Sequence, residues 1–335
     1  MTELFSTGKL PPALLAELLA RVPRSDPRVV LGPGIGQDAA VIDQGDHYLV
    51  AKTDPITFAT DDIGWYAVHV NANDLACLGA RPKWFLATAL LPAGRADAAM
   101  AQKILDQIIE ACAALNITLV GGHTEVAHDL KRPIVVGAML GEVALGDLVL
   151  NTGAQVGDAL VMTKAVPLEG TALLAREKAD ELRARGFSDA FITLAQHFLR
   201  APGISVVREA LLAADQHLAT AMHDPTEGGI VTGLRELAHA SQVGLEIDAS
   251  AIPFLPEGKA LCAAFELDPL GVIASGALLI ATPQAARLRE VLRQAGIASA
   301  VIGRVVPAEQ GLTLIERGQR CELPRFDVDE ITRVL

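Results

Sequence analysis

The sequence predicts an α/β protein of two domains. In each half of the chain, apolar segments of strand length alternate with segments of helical periodicity, a pattern typical of sheets covered by helices. Residues 153–158 carry two glycines, with Gln155 and Asp158 between and after them, and form the best domain boundary. The 335 residues are enough for two buried cores. We therefore expect one domain at residues 1–152 and another at residues 153–335.

The first half predicts a mostly buried sheet with helices against it. Strands are expected at residues 41–42, 48–52, 84–91, 117–120 and 133–142, and helices at residues 8–22, 62–79 and 96–115. Residues 24–36 are rich in Pro and Gly, and a loop is expected at residues 32–36. Asp61 or Asp62 can cap the second helix by accepting a hydrogen bond from its first backbone N–H groups. Gly79 is expected to end that helix, because glycine readily adopts the left-handed conformation after a helical C-terminus.

The second half predicts a further set of strands and helices. Strands are expected at residues 159–163, 221–223, 277–281, 298–306 and 312–315, and helices across residues 169–213, 224–244 and 284–295. Gly186 and Pro202 should interrupt the first of these helical regions. Asp224 and Glu227 have the spacing of a capping box with Pro225 at the first helical position, so a helix is expected to begin there.

The composition favours a folded, globular protein. Apolar residues make up 51% of the chain and charged residues 20%, which argues against a disordered chain. The net charge of −12 disfavours nucleic acid and anionic membranes as main partners. It does not exclude a nucleotide, since helix termini and Mg²⁺ offset a global field. The four cysteines form no Cys-x-x-Cys pair, and we see no signal peptide or membrane span, so we expect a cytoplasmic protein.

The most informative segment places amides and a carboxylate in the last turns of an apolar helix. Asn71 and Asp74 are three residues apart and share one helical face, with Asn73 beside them. Asn and Asp are poor helix formers, and a buried acid needs a partner. The spacing alone fits equally well a polar helix end capped by local hydrogen bonds and a site for a bound cation. Acidic segments elsewhere in the same half favour the cation.

Two of those segments carry an aspartate at a loop or at a strand end. Asp38 follows a Gly-rich loop that includes Gly36, and Asp54 ends a predicted strand before Pro55. Taken alone, each aspartate is explained by a turn next to a strand. Together with Asp74 they supply the hard oxygen ligands that suit Mg²⁺ bound with substrate phosphates. Backbone N–H groups of the glycines could cradle phosphate, although a Gly-Lys-Ser/Thr motif is missing from this loop.

A paired-glycine segment follows the predicted strand at residues 117–120. Gly121 and Gly122, followed by His123 and Thr124, suit a phosphate-binding or metal-binding loop. A lone histidine is more often structural than a ligand, so the role of His123 stays open.

A second pair of glycines follows Asp224 in the predicted capping box. Gly228 and Gly229 weaken the first turn of the predicted helix, which the capping box does not explain. Two glycines at this position let an anion approach the N–H groups at the positive end of the helix dipole.

Taken in order, these motifs resemble the AIR synthase superfamily, also called the PurM-like ATP-binding family. The matching segments lie between residues 36 and 306 and read Gly-Gln-Asp-Ala-Ala-Val-Ile, Thr-Asp-Pro, Asn-Asp-Leu-Ala-x-Leu-Gly-Ala-Arg-Pro, Gly-Gly-His-Thr and Asp-Pro-Thr-Glu-Gly-Gly. The superfamily includes AIR synthase, selenophosphate synthetase, thiamine-monophosphate kinase and the hydrogenase-maturation protein HypE. The sequence is most similar to HypE and to AIR synthase-related proteins.

The resemblance implies an N-terminal α/β domain whose sheet pairs with that of a second subunit in a homodimer, followed by a C-terminal α/β domain. It also implies ATP and Mg²⁺ in a cleft between the two halves, with the metal held by Asp38, Asp54 and Asp74. Asp54, Asp74 and His123 would act in catalysis. The positions that would contact the cofactor are Gly36, Asp38, Asn73, Gly121, Gly122, Thr124, Asp224, Gly228 and Gly229.

Three departures from the family pattern bear on the chemistry. Gln37 and His123 stand where the family often has aspartate, so two carboxylates are missing and fewer metal ions or an altered chemistry are expected. HypE-like proteins end in Pro-Arg-x-Cys, whose cysteine carries the group that is dehydrated. In this sequence Phe326 follows Pro-Arg, and the last residue is Leu335. This pattern argues against the cyanide-forming reaction.

Three functional hypotheses follow. The first is an ATP-dependent enzyme in which an oxygen of a small molecule or protein tail attacks the γ-phosphoryl group, in a phosphoryl-transfer or dehydration reaction. The second is a nucleotide-binding scaffold that works with a maturation partner protein and does not turn ATP over. The third is a small-molecule kinase similar to thiamine-monophosphate kinase.

Overall fold

The computed structural model of the chain describes residues 5, 10–23, 25–34, 36, 37, 39–57 and 61–335. These residues form two mixed sheets with helices against them. The first half contains α1 (Pro12–Leu19), β1 (Val29–Leu31), β2 (Ala40–Asp43), β3 (His47–Ile56), α2 (Ile63–Cys77), β4 (Arg81–Pro92), α3 (Ala98–Ala114), β5 (Thr118–Ala127) and β6 (Ile134–Ala144). The second half contains β7 (Ala159–Thr163), α4 (Leu168–Glu177), α5 (Ala179–Ala184), α6 (Asp189–His197), α7 (Val207–Asp215), β8 (Ala221–His223), α8 (Gly229–Ser241), β9 (Gly244–Asp248), α9 (Pro256–Ala264), β10 (Leu279–Thr282), α10 (Ala285–Gln294), β11 (Ser299–Val306), β12 (Leu312–Glu316) and β13 (Gln319–Glu322).

The first sheet has the order β1-β2-β3-β6-β4-β5, and α2 packs across its central strands. Every residue of α2 except Val70 is buried, because the helix lies between this sheet and the second half of the chain. A helix with apolar residues on all sides is expected to be buried in this way. The polar residues near its C-terminus are therefore carried into the interior.

The second sheet has the order β13-β12-β9-β11-β7-β10-β8, which places β8 at one edge. That strand lies close to α2. Val161, Met222 and Ile280 of this sheet belong to the same buried apolar cluster as Val68 and Leu75 of α2. The two halves are therefore held together by continuous apolar packing.

The prediction of an α/β fold with two sheets is confirmed, but several local predictions are wrong. Strand β1 lies in the Pro- and Gly-rich segment before the predicted loop, where no strand was predicted, and β5 continues through Gly121–Thr124, which were predicted as a loop after a strand. Strand β9, strand β13 and helix α9 were not predicted. No helix in the described part of the chain is both long and apolar enough to cross a membrane.

Asp62 occupies the N-cap position of α2, as expected, but its side chain does not cap the helix. Its carboxylate instead accepts hydrogen bonds from Arg176 and Arg200, which belong to the second half of the chain. The sequence correctly placed the start of the helix, and the tertiary structure gave the capping residue a different partner.

Candidate functional site

A cleft runs along α2, between the end of β3 and the second half of the chain. Its wall on the first half is formed by Lys52, Asp54, Pro55, Ile56, Thr57, Tyr66, Val70 and Asp74. Its opposite wall is formed by Glu169, Leu173, His223, Asp224, Thr226, Glu227, Glu236, Ile273 and Ser275. We call the part around Lys52, Asp54 and Asp74 the acidic end, and the part around Tyr66, Glu169 and Ser275 the inner recess.

At the acidic end, one ammonium group joins two of the predicted metal ligands. Lys52 and Asp54 are two residues apart on β3, so they lie on the same face of the strand. The Nζ atom of Lys52 lies 3.0 Å from Oδ2 of Asp74 and 3.4 Å from Oδ2 of Asp54. The Asp74 side chain is only 7% exposed, so the attraction is weakly screened by solvent. The predicted meeting of Asp54 and Asp74 is observed, with Lys52 as an unpredicted third member.

Asn71 connects α2 to the strands beneath it. Its side-chain amide donates hydrogen bonds to the carbonyl oxygen of Ala67 at 2.8 Å and to that of Asp54 at 3.4 Å. A Cβ atom on Gly137 of β6 would lie 2.4 Å from the Asn71 amide nitrogen, so this contact requires glycine. Asn71 thereby fixes the distance between α2 and the end of β3.

Asn73 does not line the cleft, although it was predicted as a cofactor contact. Its amide nitrogen donates to the carbonyl oxygen of Ile204 at 2.9 Å, and its side-chain oxygen accepts from the backbone N–H of Val206 at 2.8 Å. Both bonds are buried and join α2 to the segment before α7. In the structure Asn73 connects the two halves of the chain.

The opposite wall carries a histidine–carboxylate pair at the end of β8. Nε2 of His223 lies 3.0 Å from Oε2 of Glu236, which projects from α8. The next residue, Asp224, is 3% exposed, and its Oδ1 accepts a hydrogen bond from Sγ of Cys77 at 3.4 Å. Asp224 therefore lines the cleft as predicted.

The predicted capping box at Asp224 is wrong, because α8 begins only at Gly229 with Gly228 as its N-cap. Gly228 has a φ of 79° and Gly229 a φ of 69°, in the left-handed region that favours glycine. A Cβ on Gly229 would also lie 2.5 Å from the carbonyl oxygen of Leu270. The backbone itself therefore requires both glycines.

The anion at the N-terminus of α8 is one of the protein's own carboxylates. The N–H of Gly228 donates to Oδ2 of Asp329 at 2.7 Å, and Oδ1 of Asp329 accepts from the N–H of Ile331 at 2.9 Å. Burial raises the pKa of Asp329 to about 6 despite these two donors. The helix end therefore does bind an anion, but the anion is the side chain of Asp329.

The acidic end fits Mg²⁺ shared with phosphate oxygens. Asp54 and Asp74 already accommodate one positive charge between them. Mg²⁺ is usually bound by one or two carboxylates, with water and substrate phosphates in its other positions. Within the described ranges, no three His, Cys, Asp or Glu side chains are grouped closely enough to hold a metal ion by themselves. Asp38, the third predicted ligand, lies outside the described residues.

Two family models match the chain. The model of AIR synthase related protein, N-terminal domain, matches residues 36–143, and that of AIR synthase related protein, C-terminal domain, matches residues 155–315. The chain belongs to the AIR synthase related family. It is 30% identical over 325 residues to a carbamoyl dehydratase HypE of Azotobacter vinelandii, an alignment that covers 93% of this chain and 89% of that protein.

Solved structures share the fold of this AIR synthase related chain. Hydrogenase maturation protein HypE in complex with ATP gives a TM-score of 0.70 at 22% identity, covering 94% of this chain and 90% of that one. A HypE–HypF complex gives a TM-score of 0.71 at 21% identity, covering 87% and 94%. The predicted resemblance to the superfamily and to HypE is confirmed.

Four residues of the family pattern lie away from the cleft, on strand β5. Three strand pairings separate β5 from β3. Gly122 of β5 pairs with Ala87 of β4, Ala87 pairs with Gly137 of β6, and Gly137 pairs with Asp54 of β3. At about 4.8 Å per strand, β5 is therefore roughly 14 Å from β3. The side chain of His123 is 67% exposed, and neither it nor Gly121, Gly122 or Thr124 lines the cleft.

The glycine-rich loop of the family pattern is only partly described. Gly36 has a φ of 71°, and its carbonyl oxygen accepts a hydrogen bond from the Asn151 amide. Gln37 takes the place of a family aspartate, and its Oε1 is buried with no hydrogen-bond partner among the described residues. Neither Gly36 nor Gln37 lines the cleft, and the placement of this loop on phosphate stays a prediction.

Several cleft residues were missed by the motif analysis: Lys52, Tyr66, Glu169, His223 and Glu236. Two of them adjoin motifs that were identified, since Lys52 precedes Thr-Asp-Pro and His223 precedes Asp-Pro-Thr. Tyr66 had a usable signal as well, because it lies two helical turns before Asp74 on the same face. Glu169 had no comparable signal, since it reads as an ordinary acid in the first turn of α4.

Proposed function

We propose that this protein is an ATP-dependent enzyme that transfers the γ-phosphoryl group of ATP to an oxygen atom of a second substrate. The observation that carries the proposal is the arrangement of Asp54 and Asp74 around Lys52 at the acidic end. The HypE complex with ATP supports it, since a protein of the same fold binds the nucleotide. The reaction is of phosphoryl-transfer type, with dehydration as a second outcome if the phosphorylated oxygen then leaves.

The acidic end would position the phosphates of ATP. Asp54 and Asp74 would hold Mg²⁺, with Asp38 as a third ligand, and bound Mg²⁺ neutralises charge on the phosphate oxygens. The ammonium of Lys52 adds a positive charge next to the same oxygens. Fixed charges in a site with little water stabilise the developing charge of the transferred group more strongly than they would in solution.

His223 and Glu236 would handle the proton of the attacking oxygen. Glu236 holds the imidazole through a contact of 3.0 Å, which fixes the orientation of the ring on the wall opposite Asp54. A histidine oriented by a carboxylate is a common general base. We assign His223 as the proton acceptor and Glu236 as the residue that positions it.

Calorimetric titration of ATP with and without Mg²⁺, combined with a phosphate-release assay, tests the proposal. We expect Mg²⁺-dependent binding in the natural protein and its loss in Asp74→Asn. Asp180→Asn is a matched control, because the Asp180 side chain is fully exposed on α5. Wild-type binding and turnover in Asp74→Asn would contradict the assignment of the acidic end.

The same assay separates the enzyme from the scaffold hypothesis. Phosphate release that depends on a second substrate supports the enzyme, and a screen of phosphate acceptors then distinguishes a kinase from a dehydration enzyme. Binding of ATP without release, even with a candidate partner protein present, would favour the scaffold. The HypE–HypF complex supports the search for a maturation partner, because a protein of the same fold assembles with one.

We also propose a homodimer in which the first sheet pairs across the subunits through β5. In the described part of the sheet, β5 is an edge strand, and Val120 and Val126 on it are 51% and 58% exposed. An exposed edge with apolar side chains is a template for strand pairing. Light scattering at several concentrations tests this proposal, and a monomer throughout would contradict it.

A further inference from the structure

The inner recess carries two polar groups that the proposed phosphoryl transfer does not use. Tyr66, Val70 and Asp74 follow one another at intervals of four residues and so line one face of α2. With a rise of 1.5 Å per residue, Tyr66 lies about 12 Å along the helix from Asp74. The inner recess is therefore distinct from the acidic end, although both belong to one cleft.

Both groups are buried with hydrogen-bonding capacity left over. Tyr66 is 2% exposed and Glu169 is 6% exposed. Glu169 is hydrogen-bonded to Ser275, but its Oε2 atom has no hydrogen-bond partner among the described residues, and neither has the Tyr66 hydroxyl. Buried polar side chains are nearly always hydrogen-bonded in native proteins. Two exceptions that line the same cavity indicate a ligand that completes the missing bonds.

Charges around Glu169 indicate the sign of that ligand. The pKa of Glu169 is raised to about 7, mainly by burial and in part by the carboxylates of Asp329 and Glu227, against the lowering effect of its hydrogen bonds to Ser275. Glu227 lines the cleft from the loop before α8, and Asp329 lies behind it in the C-terminal segment, where it accepts a hydrogen bond from Gly228. A ligand carboxylate or phosphate would be repelled by these acids, and a cation would be attracted.

The charges around Tyr66 also favour a cation over an anion. The charges of Glu169, Asp62 and Glu177 all raise its pKa, in addition to a larger effect of burial, while Arg176 acts in the opposite sense. The charge of Asp62 is compensated by Arg176 and Arg200, so Glu169 and Glu177 give the surroundings of Tyr66 their acidic character.

We propose that the inner recess binds the protonated primary amine of the second substrate. This inference rests on the proposed function, which supplies the second substrate. A primary ammonium has three N–H donors. Oε2 of Glu169 and the hydroxyl oxygens of Tyr66 and Ser275 provide three acceptors on the wall of the recess. The apolar side chains of Leu173 and Ile273 lie beside them and limit the access of water.

The separation of the two ends sets the shape of the substrate. Its amine occupies the inner recess while its phosphate-accepting oxygen lies at the acidic end, about 12 Å away along α2. The substrate is therefore an extended amine, with the reacting oxygen and the ammonium at opposite ends of the molecule.

Three ligands of equal length and different charge test the inference: n-hexylamine, hexanamide and hexanoate. They are titrated by calorimetry in the absence of ATP at about pH 8, above the Glu169 pKa of about 7. We expect hexylamine to bind at least about tenfold more tightly than the uncharged amide, and hexanoate to bind least tightly. Equal binding of the amide or of the carboxylate would overturn the proposal.

Two variants locate the binding in the recess. Glu169→Gln removes the charge but keeps an acceptor for Ser275, and we expect it to weaken hexylamine binding roughly tenfold. Tyr66→Phe removes one acceptor, and we expect a loss of roughly threefold. Asp180→Asn, exposed on α5, should bind as the natural protein does. Unchanged amine affinity in both recess variants would overturn the proposal.

The pH dependence supplies a readout that a purely structural role would not change. Amine affinity should rise between about pH 6 and about pH 8 as Glu169 ionises, and this rise should be absent in Glu169→Gln. Mg²⁺–ATP binding is measured on the same samples. If the natural protein does not bind the amine but shows Asp74-dependent ATP binding, the inference alone is rejected. If it binds the amine but not ATP, the proposed phosphoryl transfer is rejected.

Discussion

The two ends of the cleft bury polar groups in opposite ways. At the acidic end, Lys52 lies 3.0 Å from Asp74 and 3.4 Å from Asp54, so the protein itself compensates the charges. At the inner recess, the Tyr66 hydroxyl and Oε2 of Glu169 have no hydrogen-bond partner among the described residues. The charges at the acidic end are therefore compensated in the free protein, whereas the inner recess keeps unused hydrogen-bonding groups that a ligand can satisfy.

This difference shows that burial and pairing have separate consequences for ionisable groups. Burial with acidic neighbours raises the pKa of Glu169 to about 7, so that it titrates near neutral pH. At the acidic end the ammonium of Lys52 lies between two carboxylates and compensates their charge. The two ends should therefore respond differently to substitution and to pH.

The largest effect is expected for Asp74→Asn. The asparagine has nearly the same shape but lacks the negative charge that holds Mg²⁺ and pairs with Lys52. We expect Mg²⁺-dependent ATP turnover to fall at least about 100-fold, because electrostatic positioning of the phosphates is lost. Steady-state phosphate release measures this, and circular dichroism should show an intact fold.

A smaller effect, on stability, is expected for Lys52→Met. Removing the ammonium leaves two carboxylates without this partner. Because the Asp54 side chain is 35% exposed and water can solvate it, we expect a loss of about 1–2 kcal/mol, between the values for exposed and fully buried ion pairs. Urea unfolding without Mg²⁺ measures the loss, and added Mg²⁺ should recover part of it. Lys103→Met is the matched control, since Lys103 pairs with Asp61 on the surface, where both side chains are 60% exposed. An equal loss in the two variants would show that the acidic end does not depend on Lys52.

At the inner recess, Glu169→Gln should change how stability depends on pH. The pKa of Glu169 is raised in the folded state, from 4.5 to about 7, so its contribution to stability is present below about pH 4.5 and is lost as the pH rises through 7. The glutamine variant should therefore be more stable than the natural protein at about pH 8, by between about 1 and 3 kcal/mol. Thermal unfolding at several pH values measures the difference. Parallel pH profiles for the two proteins would contradict the expectation.

The smallest effect is expected for His123→Ala. The side chain is exposed on β5 and lies outside the cleft, so we expect ATP affinity to change less than about twofold. Calorimetric titration with Mg²⁺ checks this. A large loss would mean that β5 reaches a nucleotide site after all, through a second copy of the chain.

The sequence located the acidic end well because its signals are local. Asp54 was placed at a strand end, although β3 continues two residues beyond it to Ile56, and helical spacing placed Asp74 on a face with Asn71. The prediction for Asn73 was wrong, because its position next to Asp74 does not indicate that its side chain contacts the backbone groups of Ile204 and Val206. Neighbouring residues on a helix point in different directions, and each direction has its own partners.

The predictions for residues 121–124 and for the start of α8 were wrong for a different reason. Glycine pairs indicate an unusual backbone, but not which neighbour requires it. At Gly122 the neighbour is the carbonyl oxygen of Ala87, which a Cβ atom would approach to 2.0 Å. At Gly228 the positive φ moves the start of α8 past the predicted capping box, and Asp329 takes the N–H group that was expected to bind phosphate.

The sequence by itself determined the fold class, the burial of α2 and the kinds of chemical group available to the cleft. Hydrophobic periodicity and helix-ending residues act over short stretches of chain, so they can be recognised without a structure. Only the tertiary structure decided which groups meet. Lys52 joins Asp74, His223 joins Glu236, and Asp329 reaches Gly228 across 101 residues. These contacts depend on how α2 packs against both sheets at once, and no local pattern specifies that packing.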